Sequence, residues 1–121
     1  MNDKTWEKDE VFVFGSNERG IHGAGAAKFA VAHCGAILRQ GAGRQGNSYA
    51  IPTCSMPGKP LPLDEIRMYV NAFLTYVEFG AIANEKFFLT RIGCGFAGYS
   101  DKDIAPMFKD APKNVRRPEG W

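Results

Sequence analysis

Two segments of the sequence follow one plan, in which an apolar, strand-like run leads through a glycine-rich loop into the start of a helix. The first passes from "VFVFG" at residues 11–15 through "SNERGIHGAG" to a helical pattern that begins at Ala24. The second passes from "KFFLTRI" at residues 86–92 through "GCGFAG" to a helix start at Ser100. Apolar runs of β-forming residues bounded by glycine indicate buried strands. The plan therefore favours folds in which strands and helices alternate.

The remaining patterns supply further elements. The first helix has one apolar side and stops at Gly35; that side is made by Ala26, Phe29, Ala30 and His33. The clearest helix spans residues 63–80, and its apolar face is made by Leu63, Ile66, Val70, Phe73, Leu74 and Val77. We predict a short strand over residues 48–53 that Pro52 ends, with loops over 37–47 and 54–62.

The last helix has a start and a break that can be read from the sequence. Ser100 with Asp103 three residues later forms a capping box, and Pro106 shortens or kinks the helix that follows. Together with the two strand–loop–helix units, these elements predict an α/β fold. We expect its helices to pack on both faces of a mostly parallel or mixed sheet.

Composition limits the class of protein. The 121 residues, 45% hydrophobic and 23% charged, predict one domain over 1–121, with 1–9 and 112–121 as tails. No apolar run reaches the roughly 18 residues that a membrane span needs, and the polar start argues against a signal peptide, so we expect a cytoplasmic protein without a membrane partner.

Three cysteines, Cys34, Cys54 and Cys94, form no C-x-x-C pair, which predicts neither disulfides nor a metal site.

Positive charge gathers only near the end of the sequence. The net charge of +2 is close to neutrality, but four cations fall in "KDAPKNVRRPEGW", namely Lys109, Lys113, Arg116 and Arg117. Our interpretation is a solvated tail; the alternative is a patch for phosphate or nucleic acid.

Both glycine loops are suited to bind an anion. A glycine-rich turn that opens a helix presents backbone N–H groups and adds the partial positive charge of the helix start. Ligands of open α/β sheets lie beyond the carboxyl ends of the strands, where both loops are expected. Two such loops lining one crevice suit a diphosphate with a sugar at one end.

A dinucleotide-binding turn is the first alternative for the second loop, because Gly93, Gly95 and Gly98 have the spacing G-x-G-x-x-G. That motif needs a following strand that ends in an acidic residue. Too few residues follow Gly98, and Pro118 argues against a buried central strand there. A Walker A loop is excluded, since no G-x-x-x-x-G-K-[ST] occurs.

Taken together, these segments resemble a macrodomain, the family of ADP-ribose-binding α/β/α modules. Residues 11–36 are similar to that family's first strand, catalytic loop and helix, and "QGNSYAIPT" resembles the strand between the two units. Residues 86–108 are similar to the strand and diphosphate loop, with "RIGCG" most like the terminal ADP-ribose protein glycohydrolase branch. The short length is similar to macro-like proteins of bacteriophages and bacteria. The resemblance implies a compact three-layer α/β/α fold with a mixed central sheet.

The resemblance also implies a binding site. At the distal ribose it places Asn17, Gly23, Ala24 and Gly25, and it makes Gly15 and Ser16 ligand-binding residues as well. Around the diphosphate it places Gly93, Cys94, Gly95, Phe96, Ala97 and Gly98, with Tyr99 either closing over the ligand or buried in the core. The implied chemistry needs no cofactor: Asn17 would orient a water, and His22 would carry a proton. Cys94 as a nucleophile at a helix start is a third idea.

The chain departs from the glycohydrolase branch at three points. Thr53 and Cys54 stand where that branch has a lysine, Ala97 stands where its second loop has an aspartate, and the adenine-reading aspartate has only Asp9 or Glu10 as substitutes. Two functions therefore stay open. One is a hydrolase of ADP-ribosyl linkages, and the other is a non-catalytic binder of ADP-ribose, of ADP-ribosylated macromolecules or of a related nucleotide signal.

Overall fold

The fold is a mixed sheet with helices packed against it. A computed structural model describes residues 6–121. In this range the strands are β1 (Glu10–Asn17), β2 (Gly43–Gln45), β3 (Ser48–Met56), β4 (Lys59–Pro60), β5 (Lys86–Leu89) and β6 (Val115–Arg116). The α-helices are α1 (Gly25–His33), α2 (Leu63–Thr75) and α3 (Asp101–Ile104). A π-helical turn, Tyr76–Gly80, extends α2, and a 3₁₀ turn, Ala105–Phe108, extends α3. The predicted α/β class with a mixed sheet is confirmed.

The strand order places β1 in the middle of the sheet. The order is β2-β3-β1-β5-β6, with β4 paired to β3. Strand β1 pairs in parallel with β3 and with β5, and β5 pairs in parallel with β6. Strands β2 and β4 run antiparallel to β3. The carboxyl ends of β3, β1, β5 and β6 therefore lie at the same edge of the sheet.

Alternating residues of β1 divide the core in two. Val11 and Val13 belong to one buried cluster, which also contains the inward residues of α2 and α3. Phe12 and Phe14 belong to a second cluster, in which α1 supplies Ala27 and other small side chains. Since successive side chains of a strand point to opposite faces, the helices pack on both faces of the sheet.

The predicted apolar face of α2 is confirmed, and that of α1 is corrected. Within α2 and its π-helical extension the buried residues are Ile66, Val70, Phe73 and Val77. Helix α1 buries Ala27 and Ala30; of the other residues predicted for its apolar side, Ala26 and Phe29 are half-buried and His33 is exposed. Ser100 and Asp103 form the predicted capping box, and α3 ends just before Pro106, which enters the 3₁₀ turn.

Three expectations for the middle of the chain are wrong. Strand β3 continues past Pro52 to Met56, because its partner Ser16 lies beside a register shift of β1, where a missing ladder hydrogen bond is tolerated. The expected loop over 54–62 contains instead a hairpin, in which β4 pairs back onto β3. The expected loop over 37–47 contains β2. Such short strands depend on pairing with β3 and have no periodic pattern of their own.

The expected tail over 112–121 is corrected as well. Val115 and Arg116 form β6 and pair with Phe87 and Phe88 of β5. Trp121 stacks on Phe108, with ring centroids 5.8 Å apart. At the other end of the chain, the part of the 1–9 tail from residue 6 on also contacts the core, since Trp6 packs edge-on against Phe12.

Two searches of the described chain were negative. Among residues 6–121 no helix combines the length and the apolar character needed to cross a membrane. In the same range no three or more histidine, cysteine, aspartate or glutamate side chains gather in a way that could hold a metal ion.

We expect Phe73→Ala to lower the free energy of unfolding by about 3–5 kcal/mol, as other buried Phe truncations do. Phe73 is fully buried and its ring contacts those of Tyr49, Phe87 and Phe108, so truncation leaves a cavity that rigid neighbours cannot fill. Urea denaturation followed by circular dichroism measures the change. Met68→Ala, on the exposed side of the same helix, should change it by less than about 0.5 kcal/mol. Equal losses for both variants would contradict the described packing.

Candidate ligand-binding cleft

A large cavity opens at the carboxyl edge of the parallel strands. Its volume is about 1190 Å³, somewhat above the roughly 300–1,000 Å³ of most ligand pockets. Both glycine loops contribute to its lining. The residues predicted for the site that line it are Gly15, Ser16, Asn17, Gly23, Ala24, Gly25, Gly93, Cys94, Gly95, Phe96 and Ala97. The topology thus brings together two segments that are some 75 residues apart in sequence.

Asn17 shapes the first glycine loop, residues 18–24. Its Oδ1 accepts a hydrogen bond from the Ile21 N–H at 3.1 Å, and its Nδ2 donates to the Ile21 carbonyl at 2.9 Å. The Gly20 N–H adds a turn bond to the Asn17 carbonyl at 2.9 Å. The side chain therefore holds the loop against the end of β1 while it also lines the cavity.

The segment before β2 supports this loop from behind. Ser16 Oγ donates a hydrogen bond to the Gly41 carbonyl. A Cβ at Gly41 would lie 2.3 Å from the Asn17 carbonyl oxygen, and one at Gly20 would lie 2.4 Å from the backbone of Arg39. These close backbone approaches require glycine at both positions.

The start of α1 is open toward the cavity. Gly25, Ala26 and Ala27, its first three residues, all line the cavity. Ala24 precedes them in an extended conformation, no side chain of the described residues caps the helix, and its first turn has no acidic residue. The first N–H groups of an α-helix have no acceptor within the helix. The start of this nine-residue helix therefore presents uncompensated N–H groups and the positive end of the helix dipole.

The second glycine loop, residues 93–98, is a tight turn. The Tyr99 N–H donates to the Gly93 carbonyl at 2.9 Å, and the Gly98 N–H to the Gly95 carbonyl at 3.0 Å. Between these bonds, the N–H groups of Gly95, Phe96 and Ala97 find no acceptor within residues 6–121. The loop thus offers a second group of N–H donors at the cavity.

The two loops meet at the mouth of the cleft. Phe96 is 75% exposed, and its ring lies so close to α1 that a Cβ at Gly25 would be 3.2 Å from its Cε2 atom. Gly25 also has φ +59°, a conformation that disfavours other residues. Glycine at this position therefore lets an aromatic ring of the second loop cover the start of α1.

The acid–base role expected for His22 is not supported by its position. Its side chain is only 3% exposed and does not line the cavity. Nε2 lies 3.0 Å from the Gln40 carbonyl and 3.3 Å from Gln45 Oε1, and the ring packs edge-on against Phe14. Because both neighbours of Nε2 are acceptors, this nitrogen carries the proton. His22 joins the first loop to β2 from the core side.

Two residues of the second unit also lie outside the lining. Tyr99 is half-buried, packs against the core, and donates its hydroxyl hydrogen to the Leu61 carbonyl at 2.6 Å. Of the two alternatives for Tyr99, the core position is therefore the one observed. Gly98 closes the turn but does not contact the cavity.

Cys94 is a poor nucleophile in this setting. Burial, and after it the negative charge of Asp101, raises the pKa of the Cys94 thiol to about 11. The Sγ atom lies 3.7 Å from Asp101 Oδ1, so the thiol hydrogen points to a carboxylate. The expectation that a helix start lowers this pKa is wrong, because burial of the thiol and the carboxylate of Asp101 both raise it.

Three arginines of the cleft were not among the predicted site residues, although Arg116 and Arg117 belong to the cluster for which a phosphate patch was the alternative to a solvated tail. Arg91, Arg116 and Arg117 line the cavity, as do Thr53, Cys54 and Thr90 at the strand ends. Arg91 pairs with Asp101 at 3.0 Å and its guanidinium lies over the Trp121 ring, while Arg117 donates to the Phe108 carbonyl at 3.2 Å. The sequence "VRRP" shows that cations cluster here, but their position at the cavity depends on the pairing of β6 with β5.

Fold and site together define an α/β protein with a glycine-lined cleft, which also contains three arginines, at the carboxyl edge of its parallel strands. Comparison of the chain with family models, with curated proteins and with solved structures gives no match. Its function is therefore argued from the cleft.

We expect the alkylation of Cys94 by iodoacetamide to be slow at pH 8 and to rise about tenfold per pH unit up to pH 9.5, because only the thiolate reacts. Asp101→Asn should speed the reaction at pH 8, since it removes a negative charge that raises the thiol pKa. Mass spectrometry of the Cys94 peptide measures the rate. Cys94→Ser reports background labelling of Cys34 and Cys54, both buried. A plateau already reached at pH 8 would contradict the raised pKa.

Proposed function

We propose that the cleft binds ADP-ribose or an ADP-ribose-derived nucleotide. One observation supports this most directly. Two sets of backbone N–H donors, one at the start of α1 and one in the second glycine loop, belong to residues that line the same cavity. Two anion sites in one cleft suit a diphosphate better than a single phosphate. Each charge-assisted N–H contact contributes roughly 1.5–3 kcal/mol, so a few of them give useful affinity.

The shape of the cleft supports a ligand larger than a diphosphate. Its volume exceeds what a phosphate pair needs, and its lining extends from Pro57 and Gly58 beside β3 to Pro118 and Glu119 beyond β6. A diphosphate at the glycine loops would leave space on both sides, one for a sugar and one for a nucleoside. This arrangement agrees with the resemblance of the sequence to macrodomains, and we extend the proposal to that family's three-layer fold.

Binding is better supported than hydrolysis. The hydrolase alternative has a water oriented by Asn17 and by the substrate's own phosphate, with His22 as an additional proton carrier, and His22 lies behind the first loop. Asn17 lines the cleft, but both polar atoms of its amide bond to Ile21. The raised pKa of Cys94 argues against nucleophilic attack by this thiol. We therefore propose a binding module as the primary function.

The nucleic-acid alternative loses its main argument. It depended on a basic tail, whereas Arg116 lies in β6 and both Arg116 and Arg117 line the cleft. Two arginines inside a cleft can contact a small anionic ligand, but they do not form an extended surface for a nucleic-acid backbone.

Isothermal titration calorimetry with ADP-ribose, NAD, ATP and ribose 5-phosphate tests the proposal. We expect ADP-ribose to bind at least tenfold more tightly than ribose 5-phosphate, because it engages both groups of N–H donors. Equal affinity for all four ligands, or no binding of ADP-ribose, would overturn the proposal. Incubation with ADP-ribosylated protein, followed by measurement of released ADP-ribose, tests the hydrolase alternative separately.

Gly95→Ala should weaken ADP-ribose binding by about tenfold, the loss of roughly one charge-assisted hydrogen bond. Within residues 6–121, no atom beyond its chain neighbours lies within 4 Å of a Cβ built at Gly95, so the fold accepts the methyl group, whereas a phosphate on the loop N–H groups does not. The melting temperature should stay within about 2 °C of the parent protein. Ala83→Val, an enlargement of an exposed residue outside the cavity, serves as the matched control and should change neither quantity.

A further inference from the structure

Arg116 and Phe88 form a flat surface beside the cleft. They are directly opposite each other in the β5–β6 pair, so their side chains share one face of the sheet. The Arg116 guanidinium carbon lies 4.7 Å from the centroid of the Phe88 ring. Phe88 in turn stacks on Phe12 at 6.0 Å with an interplanar angle of 16°. The guanidinium therefore lies over the outer of two stacked rings, Phe88 and Phe12.

Glu10 holds the guanidinium in this orientation. Arg116 Nε donates to Glu10 Oε2 at 2.9 Å, and Arg116 NH2 donates to Oε1 at 2.6 Å. Burial by itself would raise the pKa of Glu10, but the Arg116 hydrogen bonds and charge and the Glu7 N–H together lower it below its usual value. The carboxylate is thus ionised at neutral pH and keeps a two-point contact that fixes the plane of the guanidinium.

The guanidinium is both held in place and accessible. The Arg116 side chain is 46% exposed to solvent, and it lines the cavity together with Phe88. The apolar start of α1, with Ala26 and Ala27, lines the same cavity. A planar cation on an aromatic ring, in a cavity with apolar residues of α1, has the chemistry that stacks on a nucleobase.

The two acidic residues considered for recognition of the adenine edge, Asp9 and Glu10, do not line the cavity. Both carboxylate oxygens of Glu10 accept from Arg116, and Asp9 pairs with Lys86 at 3.4 Å. Neither residue lines the cavity, and of the acidic residues in the described chain only Glu119 does. The substitution of Asp9 or Glu10 for an adenine-reading aspartate is therefore not supported.

We infer that the Arg116 guanidinium, held by Phe88 and Glu10, is the group on which the base of the bound nucleotide stacks. The cleft then recognises a purine by stacking on its ring face and not by hydrogen bonds to its edge. This inference rests on the proposed function, since the stacked base belongs to the ligand of the same cleft. It implies that ligands with different purines bind with similar affinity.

Arg116→Lys tests this stacking role, because it keeps the positive charge and removes the planar group and its two-point contact. We expect the substitution to weaken the binding of ADP-ribose about tenfold, which corresponds to the loss of one stacked base. The affinity for ribose 5-phosphate should change less than about twofold. Arg67→Lys, an exposed arginine outside the cavity, is the matched control and should leave both affinities unchanged. Thermal unfolding of each variant confirms that the fold is intact.

Titration of the parent protein with ADP, GDP and UDP tests recognition by the ring face. We expect ADP and GDP to agree within about threefold and UDP to bind more weakly, because a single pyrimidine ring stacks over less area. Glu119→Gln should leave the ratio of ADP to GDP affinity unchanged.

The outcomes separate the two proposals. If the parent protein binds ADP-ribose and Arg116→Lys binds it equally well, the stacking role of Arg116 is overturned and the proposed function stands. A preference of tenfold or more between ADP and GDP, or its loss in Glu119→Gln, also overturns recognition by the ring face. If the parent protein binds none of these ligands, both proposals fail.

If Arg116→Lys unfolds, Glu10→Gln replaces it as the test variant. This substitution weakens the contact that orients the guanidinium but keeps the arginine, and we expect it to weaken ADP-ribose binding more than ribose 5-phosphate binding.

Discussion

The parallel pairing of β1 with a strand on each side is the constraint on which the rest of the structure depends. Because β3 and β5 both run in the direction of β1, each needs a long connection, and those connections become the helices on the two faces. Both faces of β1 are then buried, by Val11 and Val13 on one side and Phe12 and Phe14 on the other. Its carboxyl end is where the cleft opens.

The cleft divides its tasks between buried and accessible groups. Hydrogen bonds of Asn17, Ser16 and His22 hold the first loop to its neighbours from the side of the core. The groups left for a ligand are mostly backbone N–H donors, whose positions are set by the elements that carry them. A site built in this way is pre-organised, since binding orders few flexible side chains.

Local patterns predicted much of this structure, and long-range pairing supplied what they could not. The two strand–loop–helix units, the face of α2 and the capping box at Ser100 depend on residues close in sequence, and these were predicted. The end of β3 and the existence of β6 depend on strands distant in sequence. His22 and Arg116 show the same limit for the site: one adjoins the glycines yet lies in the core, whereas the other is remote in sequence and lines the cleft.

The tight contacts behind the first loop affect how a mutational scan of this protein should be interpreted. Gly20 and Gly41 lie outside the cavity lining, yet a side chain at either would collide with the backbone, so most variants there would be depleted through misfolding. Gly23 and Gly95 line the cavity with no such obstruction. A screen that scores only ligand capture would rank all four glycines together. Abundance measured in parallel separates the pair that maintains the scaffold from the pair that borders the ligand.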